Sequence, residues 1–368
     1  MKKVGIITMH KVFNHGSALQ AYATQCVLKK LGVEAEIIDY IFPNKFHKEK
    51  KSIKDVLHTF LSEIISGFPQ KKQQKHFNIF YKKHFKLSKQ TYNSPAEIHR
   101  NPPKYDIYMV GSDQTWCLLH NRGDKTFFLS FAPKGAKKIS YASSFGPYSL
   151  CDLQQIKNEL HDFTALSVRE RSGQNVIKEL LQKDAQICLD PTLLLNNKEW
   201  SKLASQSQLQ IKKPFVLVYI LTYAYNPYPF VTQFIENAYK QTGLHLVLLH
   251  YSPSQPLSIK DVTSLNNGVS PCDFLYLFQN ASLVITTSFH GTAFALNFER
   301  PFYSIINDKS TSDDRMLSLL QEVGAEDRAI LCNSEISDIS LTMDYTSISK
   351  KLEEKRKKSI TYLSCNII

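Results

Sequence analysis

Residues 283–296 have the sequence LVITTSFHGTAFAL, in which a short apolar run is followed by a polar turn and a second apolar run. The three apolar residues at its start form the continuous segment that is typical of a strand covered on both faces. Ser288 is suited to cap a helix, and the alanine, phenylalanine and leucine residues after it have helical spacing. The segment therefore predicts a buried strand, a turn, and a helix that carries His290 in its first turn.

The predicted position of His290 is one at which proteins bind ligands. Free backbone N–H groups and the helix dipole favour an anion at a helix N-terminus, and open α/β sheets bind their ligands at the carboxyl ends of strands. A histidine there can bind an anion or transfer a proton. The alternative is that His290 only caps the helix, with its ring bonded to a neighbouring loop.

Length and cysteine content limit the class of protein. A chain of 368 residues is longer than one typical core, so two domains are expected. No apolar run approaches the roughly 20 residues that span a bilayer. The seven cysteines are scattered and form no C-x-x-C pair, which argues against a disulfide framework or a zinc site and favours a cytoplasmic protein.

The net charge of +12 is concentrated in two segments. Residues 45–104 contain fourteen Lys and Arg against four Asp and Glu, and residues 350–358 contain six against two, so the remainder of the chain is near −2. A basic patch can bind nucleic acid, anionic lipid headgroups or an acidic polymer. The alternative is a solvated face of a helix.

The order of apolar and polar segments predicts an α/β fold. A strand at residues 4–9, a helix that Ser17 could cap and Gly32 ends, and a strand at residues 35–40 make one βαβ unit. A second series of this kind begins with an apolar segment at residues 214–221. We therefore predict two Rossmann-like domains whose parallel sheets face a cleft.

The predicted domain boundaries follow from this order. We place the N-terminal domain at residues 1–205 and the C-terminal domain at residues 206–345. A final helix and tail take up residues 346–368. The basic segment at residues 45–104 is an insertion in the first domain, and it has two predicted amphipathic helices, at residues 52–66 and 70–86.

Polar residues collect where predicted strands end. Gly16 lets the backbone approach a ligand at a helix start, although the further glycines of a dinucleotide fingerprint are absent. Asp113 could bind sugar hydroxyls or act as a base, and Trp116 could stack on a sugar face. Alternatively, Asp113 caps a helix and Trp116 lies in the core. The candidate acceptor-binding residues at these strand ends are Asn14, Gly16, Ser112, Gln114, Trp116 and Ser143.

Charged residues follow two further predicted strands. Arg169 comes directly after an apolar strand, and Arg171 lies two residues on. A guanidinium matches a phosphate or carboxylate bidentately, but Glu170 could instead make this cluster structural. Asp190, held extended before Pro191, is predicted to shape a turn. No H-E-x-x-H, P-loop, EF-hand or G-x-S-x-G motif is present, so no metal site is predicted.

Together these segments resemble the polysaccharide pyruvyl transferase family. The resemblance covers about residues 4–300 and is carried by Asn14, Gly16, Leu19-Gln20, Val110-Gly111-Ser112-Asp113-Gln114 with Trp116, Ser167-Val168-Arg169-Glu170, Asp190-Pro191-Thr192 and Ser288-Phe289-His290-Gly291. It implies a GT-B-like pair of domains and transfer of a pyruvyl group, as a ketal, from phosphoenolpyruvate to a sugar. The acceptor would be a surface polysaccharide or its lipid-linked precursor, and no cofactor would be required.

The resemblance also implies roles for individual residues. His290 would be the acid or the phosphate partner, and Asp113 would be the base or the group that orients the acceptor. Better-known members carry an arginine two residues before the histidine, where this chain has Ser288. The charge would then come from Arg169, Arg171 or a lysine, or the donor would differ. The candidate donor-binding residues are Arg169, Arg171, Ser288, Gly291 and Thr292.

Three other functions fit parts of the sequence. A GT-B glycosyltransferase would need a nucleotide-sugar pocket in residues 214–330, where no clear acidic partner for a ribose occurs. A nucleic-acid-binding protein would need stacking aromatics, but the aromatic residues of the basic insertion have the spacing of a helix core, so no nucleic acid is expected. A non-catalytic sugar-binding protein would be consistent with Ser288.

The basic insertion also suggests peripheral contact with an anionic membrane that carries a lipid-linked acceptor. We expect the protein to co-sediment with anionic vesicles at low salt. Failure to do so would count against this expectation.

Overall fold

The computed structural model describes residues 2–47, 69–211, 213–251, 257–265, 268–307, 314–336 and 338–368. In this part of the chain the strands form two larger parallel sheets and one short parallel pair. The predicted helix at residues 52–66 lies outside the described residues.

The first sheet belongs to the N-terminal half of the chain. Its strands are β1 (Lys3–Ile7), β2 (Glu34–Tyr40), β3 (Leu87–Tyr92), β4 (Ile107–Val110) and β5 (Lys137–Ser140). Their order is β3-β2-β1-β4-β5, and every neighbouring pair is parallel. The short pair β6 (Ser167–Val168) and β7 (Gln186–Ile187) continues beyond β5 through isolated bridges.

The second sheet belongs to the C-terminal half. Its strands are β8 (Phe215–Tyr219), β9 (His245–Leu249), β10 (Val262–Ser264), β11 (Leu283–Thr286), β12 (Phe302–Ile306) and β13 (Ala329–Leu331). Their order is β10-β9-β8-β11-β12-β13, and all neighbours are again parallel.

Helices connect and cover these strands. The described helices are α1 (His15–Lys30), α2 (Pro69–His84), α3 (Pro95–Arg100), α4 (Leu118–Asn121), α5 (Leu150–Leu153), α6 (Lys157–His161), α7 (Arg171–Leu181), α8 (Asn197–Ala204), α9 (Phe230–Thr242), α10 (Pro271–Asn280), α11 (Phe289–Asn297), α12 (Arg315–Val323) and α13 (Thr346–Ile367). None of them is long and apolar enough to cross a membrane.

The topology fixes where a ligand can bind. In each sheet the strand order reverses beside the central pair, which is β1 and β4 in the first sheet and β8 and β11 in the second. Open α/β sheets bind ligands outside the carboxyl ends of the strands at such a switch point. The predicted architecture of two Rossmann-like domains with parallel sheets is therefore confirmed.

Asn14, rather than Ser17, caps helix α1. The Asn14 side chain accepts a hydrogen bond from the backbone N–H of Ser17 at 3.2 Å, and the helix begins at His15. The expectation that Ser17 is the cap was wrong because the Ser17 hydroxyl lies inside the helix and donates to Asp113 instead. The predicted end is confirmed, since Gly32 follows the last turn with a φ of 74°.

The described part of the basic insertion contains α2, close to the predicted helix at residues 70–86. Phe77, Phe80 and Tyr81 are buried on one face of this helix, and the Phe80 ring lies 6.0 Å from that of Tyr22 in α1. The described lysines of α2 remain exposed. The aromatic residues of this helix therefore serve its core packing.

The two domains are packed against each other beside the switch points. The ring of His15, in the first turn of α1, stacks on Phe274 of α10 at 4.7 Å, and its Nε2 lies 3.0 Å from the carbonyl oxygen of Val269. Burial, with a contribution from His250, lowers the pKa of His15 to about 3. The imidazole is therefore neutral at physiological pH, and its Nε2–H donates to Val269.

The last helix returns to the N-terminal domain. The Ser359 hydroxyl accepts a hydrogen bond from the backbone N–H of Leu189 at 3.0 Å, and the Tyr362 hydroxyl donates to the carbonyl oxygen of Ser140 at 2.9 Å. The helix runs on to Ile367 and so takes in most of the predicted tail, because its last turns are buried against this domain.

Candidate active site

A cleft of about 440 Å³ opens between the two domains at the carboxyl ends of the central strands. The residues that line it from the N-terminal domain include Asn14, Ser17, His47, Asp113, Gln114 and Arg122. Those from the C-terminal domain are Leu221, Tyr223, Ser288, Phe289, His290 and Arg315. Of the predicted site residues, the cleft thus brings together Asn14, Asp113, Gln114, Ser288 and His290.

Asp113 is held in a fixed orientation on the N-terminal side of the cleft. One carboxylate oxygen accepts from the backbone N–H of Gln114 at 2.9 Å, and the other accepts from the hydroxyl of Ser17. Its φ of 79° is unusual for a residue other than glycine, and strained backbone of this kind clusters at functional sites. The carboxylate can accept a hydrogen bond or a proton from a sugar hydroxyl.

His290 occupies the C-terminal side of the cleft. It is the second residue of α11, whose cap is confirmed as Ser288, because the Ser288 hydroxyl accepts from the N–H of Gly291 at 3.3 Å. The residue is 8% exposed and lines the cleft, but its Nε2 atom is buried and has no hydrogen-bond partner within the described residues.

Gly16 is required by the closeness of the two domains. A Cβ atom built on Gly16 would overlap the ring of His290. A side chain at this position would push the imidazole away, so the glycine allows α1 and α11 to approach across the cleft. The structure thus shows Gly16 close to the His290 side chain, and the predicted approach of its backbone to a ligand stays a prediction.

A buried carboxylate lies behind His290. Oδ2 of Asp190 is 3.6 Å from the His290 Nε2, an ion-pair distance, and it accepts from the Ser112 hydroxyl at 2.8 Å and from Nη1 of Arg169 at 3.0 Å. Oδ1 accepts from the N–H of Thr192 at 3.0 Å. Burial opposes ionisation of Asp190, but the charges of His290 and Arg169 and these hydrogen bonds hold its pKa well below its ordinary value.

Asp190 therefore has a position that the sequence alone did not reveal. It shapes the turn that follows it, as predicted, through its bond to Thr192. It also places a permanent negative charge against His290. The sequence does place Asp190 after a strand of the N-terminal domain. Only the tertiary fold, however, brings the end of that strand close to α11.

Arg169 lies behind the wall of the cleft. Its side chain is 2% exposed, and its guanidinium carbon lies 4.1 Å from the centre of the Phe289 ring, which itself faces the cleft. Two guanidinium nitrogens, Nε and Nη2, have no hydrogen-bond partner among the described residues. In this structure Arg169 acts on the cleft through Asp190 and Phe289, and direct donor binding by Arg169 stays a prediction.

Several other predicted residues do not line the cleft. Arg171 is 60% exposed at its side chain and pairs with Glu322 at 3.4 Å. Trp116 is fully buried, and its Nε1 donates to the carbonyl oxygen of Phe127 at 3.1 Å, so it presents no face to a sugar. The remaining members of this group, all buried, are Ser112, Ser143, Gly291 and Thr292.

The cleft also contains basic residues that the sequence did not single out. Arg315 begins α12, Arg122 ends α4, and His47 pairs with Asp124 at 3.0 Å. The Nδ1 atom of His47 accepts from the N–H of Asn44 at 3.3 Å. No local motif marks these residues, because chain folding alone brings them to the cleft.

Glu170 is a buried acid on which the charges of Arg169 and Arg315 act. Its Oε1 accepts from the backbone N–H of Phe145 at 3.2 Å. Burial raises the pKa of Glu170 to about 7, although the charges of Arg169 and Arg315 oppose the rise. The folded protein thus binds a proton at Glu170 more tightly than the unfolded chain, whose glutamate has the ordinary pKa of 4.5.

The linkage of this proton to folding gives a testable pH dependence. The stability that the protonated Glu170 contributes is fully present below pH 4.5 and is lost as the pH rises to about 7. Glu170→Gln carries no titrating group at this position, so it does not lose this stability. We therefore expect its free energy of unfolding to exceed that of the wild type by a margin that grows between these two pH values to at most about 3 kcal/mol. Urea denaturation of both proteins across this range measures the gain, and parallel curves would contradict the assignment.

Among the described residues, no group of three or more His, Cys, Asp or Glu side chains lies where it could hold a metal ion.

Comparison with known proteins bears on the family and the fold. The family model described as polysaccharide pyruvyl transferase matches residues 14–309, a range that includes Asp113, Asp190 and His290. Comparison with curated proteins gave no significant match.

Solved structures share the fold at low sequence identity. UDP-GlcNAc 2-epimerase from Neisseria meningitidis bound to UDP-GlcNAc has a TM-score of 0.50 and 12% identity, over 98% of this chain and 94% of that chain. The enzyme from Methanocaldococcus jannaschii in complex with UDP-GlcNAc and UDP has a TM-score of 0.50 and 13% identity, over 96% and 99%. UDP-N-acetylglucosamine 2-epimerase from Rickettsia bellii has a TM-score of 0.50 and 10% identity, over 99% and 98%. These similarities concern the two-domain fold alone.

Proposed function

Because this chain belongs to the polysaccharide pyruvyl transferase family, we propose that it transfers the pyruvyl group of phosphoenolpyruvate to a sugar as a ketal. The acceptor is a surface polysaccharide or its lipid-linked precursor. The observation that carries the proposal is that His290 and Asp113 line one cleft from opposite domains, and that Arg315 lines the same cleft.

The donor is small and doubly anionic, since it carries a phosphate and a carboxylate. Cations and N–H donors are needed to bind such a molecule. The C-terminal wall of the cleft offers the guanidinium of Arg315, the imidazole of His290 and the N-terminus of α11. This side of the cleft is therefore the donor side, and the side of Asp113 is the acceptor side.

Ketal formation needs one proton delivered and two hydroxyl groups added. A proton adds to the enol methylene of the donor and makes it a methyl group, which leaves C2 electrophilic. One sugar hydroxyl adds to C2 and loses its proton to a base. The C2–O bond to phosphate then breaks, phosphate leaves with its electron pair, and a second hydroxyl of the same sugar adds to C2 and loses its proton. One donor and one diol thus yield one ketal and one inorganic phosphate.

The positions of the side chains suit these steps. His290 delivers the proton, and the Asp190 carboxylate 3.6 Å from its Nε2 stabilises the protonated imidazole. Asp113, held by Ser17 and the Gln114 backbone, accepts the proton of the attacking hydroxyl or orients that hydroxyl. General acid and base groups of this kind each contribute roughly 10²–10⁴-fold to rate.

Phosphate release tests the proposal. The protein is incubated with phosphoenolpyruvate and a panel of saccharide acceptors, and inorganic phosphate and the product mass are measured. We expect phosphate to appear only when donor and acceptor are both present, together with a product heavier by one pyruvyl ketal. Transfer from a nucleotide sugar, with phosphoenolpyruvate left intact across the panel, would contradict the proposal.

A further inference from the structure

Arg315 lines the cleft, but the proposed reaction does not specify which group of the substrate it contacts. It is 7% exposed, yet its side chain lines the cleft together with Ser288, Phe289 and His290. Its charge also acts on the buried Glu170 and opposes the rise in the pKa of that acid. Arg315 thus lines the space that a substrate would occupy and is near enough to the buried Glu170 for its charge to act on that acid.

The backbone at Arg315 is anchored by both domains. The preceding residue, Asp314, accepts from the N–H of Ser172 at 3.2 Å and from its hydroxyl at 2.5 Å. Ser172 lies in the first turn of α7 in the N-terminal domain, where a carboxylate is favoured by the helix dipole. Asp314 also accepts from the Ser318 hydroxyl of its own helix at 2.7 Å.

A second hydrogen bond of this anchor joins the same two helices. The Ser318 hydroxyl accepts from the backbone N–H of Arg171 at 3.2 Å. The start of α12 is thereby fixed to the start of α7, so Arg315 has little freedom in where it enters the cleft. Binding sites gain affinity when a charged group is held in place before the ligand arrives.

The surroundings of Arg315 in the cleft match a phosphate group. A guanidinium presents its N–H groups in a planar fork that binds a phosphate through two parallel hydrogen bonds. Ser288, a neighbour in the cleft wall, caps α11, and helix N-termini favour the same ligand. A carboxylate is the other anionic group of the donor, and it is the smaller and less highly charged of the two.

We propose that Arg315, anchored across the domain boundary by Asp314 and Ser172, binds the phosphate group of the donor. The inference rests on the proposed function only for the identity of that donor. Arg315 is thus a cation that lines the same cleft as Ser288, where the resemblance led us to expect Arg169, Arg171 or a lysine to supply the charge.

Binding measurements on the full chain test this role. Inorganic phosphate, phosphoenolpyruvate and pyruvate are titrated by calorimetry into the wild type, Arg315→Gln and Arg315→Lys. Loss of a charge-assisted contact predicts a fall of about ten- to hundredfold in affinity for phosphate and phosphoenolpyruvate in Arg315→Gln. Arg315→Lys keeps the charge but lacks the planar fork, so its affinity should lie between those of the wild type and Arg315→Gln. If Arg315→Gln does not fold, Arg315→Lys replaces it in the comparison.

The matched control is Arg100→Gln. Arg100 is an exposed arginine at the end of α3, away from the cleft, and its variant should bind phosphate as the wild type does. Equal loss of affinity in Arg100→Gln would mean that the effect is one of net charge, which overturns the assignment. Unchanged phosphate affinity in the Arg315 variants, or a loss confined to pyruvate, would also overturn it.

The outcome also separates this inference from the proposed function. If the wild type binds phosphate but not phosphoenolpyruvate, and Arg315→Gln loses phosphate, the phosphate site stands and the proposed donor is wrong. If phosphoenolpyruvate binds equally well with and without Arg315, the donor stands and the inference is overturned. If the wild type binds none of these anions, both are overturned.

Discussion

Replacing His290 with alanine is expected to lower the turnover of pyruvyl transfer by at least about a hundredfold, the lower range for loss of a general acid. The imidazole is the proton donor proposed for the enol methylene. Its removal takes one favourable charge from the buried Asp190, which keeps its bonds from Arg169 and Ser112. The variant should therefore remain folded, with a melting temperature below that of the wild type.

The assay compares initial rates of phosphate release from phosphoenolpyruvate with acceptor present. A matched control is His161→Ala, because His161 is an exposed histidine at the end of α6, and its rate should equal that of the wild type. His290→Gln tests whether hydrogen bonding alone suffices, since glutamine cannot deliver a proton at neutral pH. Turnover near the wild-type rate in His290→Ala would remove His290 from the mechanism.

Asp190→Ala is expected to give the largest loss of stability, about 3–5 kcal/mol in the free energy of unfolding, as for a buried ion pair that loses one partner. Asp190 is fully buried, and its removal leaves the 2%-exposed Arg169 without the carboxylate to which Nη1 donates. The Thr192 hydroxyl loses its acceptor at the same time, and the Ser112 hydroxyl loses one of its two, the other being the carbonyl oxygen of Ala142.

The pH dependence of this loss follows from the pKa of Asp190. That pKa lies below the ordinary 3.8 in the folded protein, so the carboxylate contributes stability at neutral pH, and the contribution fades as the pH falls below that value. The wild type and the variant should therefore converge in acid. Urea denaturation at neutral and acidic pH measures both effects.

Asp184→Asn provides the comparison for Asp190. Its carboxylate pairs with Lys178 at 3.0 Å, but its side chain is 91% exposed, and exposed pairs contribute little. Asp190→Asn, which keeps the shape of the side chain, should also lower turnover, because an amide cannot stabilise a protonated His290. An Asp190 variant with the stability and turnover of Asp184→Asn would show that the buried network has neither role.

Local sequence patterns were sufficient for the elements around His290. The strand β11, the cap Ser288 and the start of α11 all depend on contacts within a few residues, so the segment 283–296 predicts them directly. The same reasoning places Asp113 and Asn14 at strand ends. Since the carboxyl ends of parallel strands meet at one edge of a sheet, both residues reach the cleft.

Residues whose positions depend on contacts between distant parts of the chain were not predictable in this way. Arg315 lies in the cleft because Asp314 is anchored to Ser172 in the other domain. Arg169 follows a strand just as Asp113 does, yet packing against Phe289 places it behind the cleft wall. Whether a polar residue at a strand end faces a ligand or a neighbouring side chain is decided by tertiary packing.

Binding of phosphoenolpyruvate to the full chain distinguishes pyruvyl transfer from a reaction of a nucleotide sugar. A ligand that binds the folded state raises the melting temperature by mass action, and UDP-GlcNAc serves as the parallel ligand. We expect a concentration-dependent rise with phosphoenolpyruvate and none with UDP-GlcNAc. A rise with UDP-GlcNAc alone would contradict the proposed function and would assign the cleft to a nucleotide sugar.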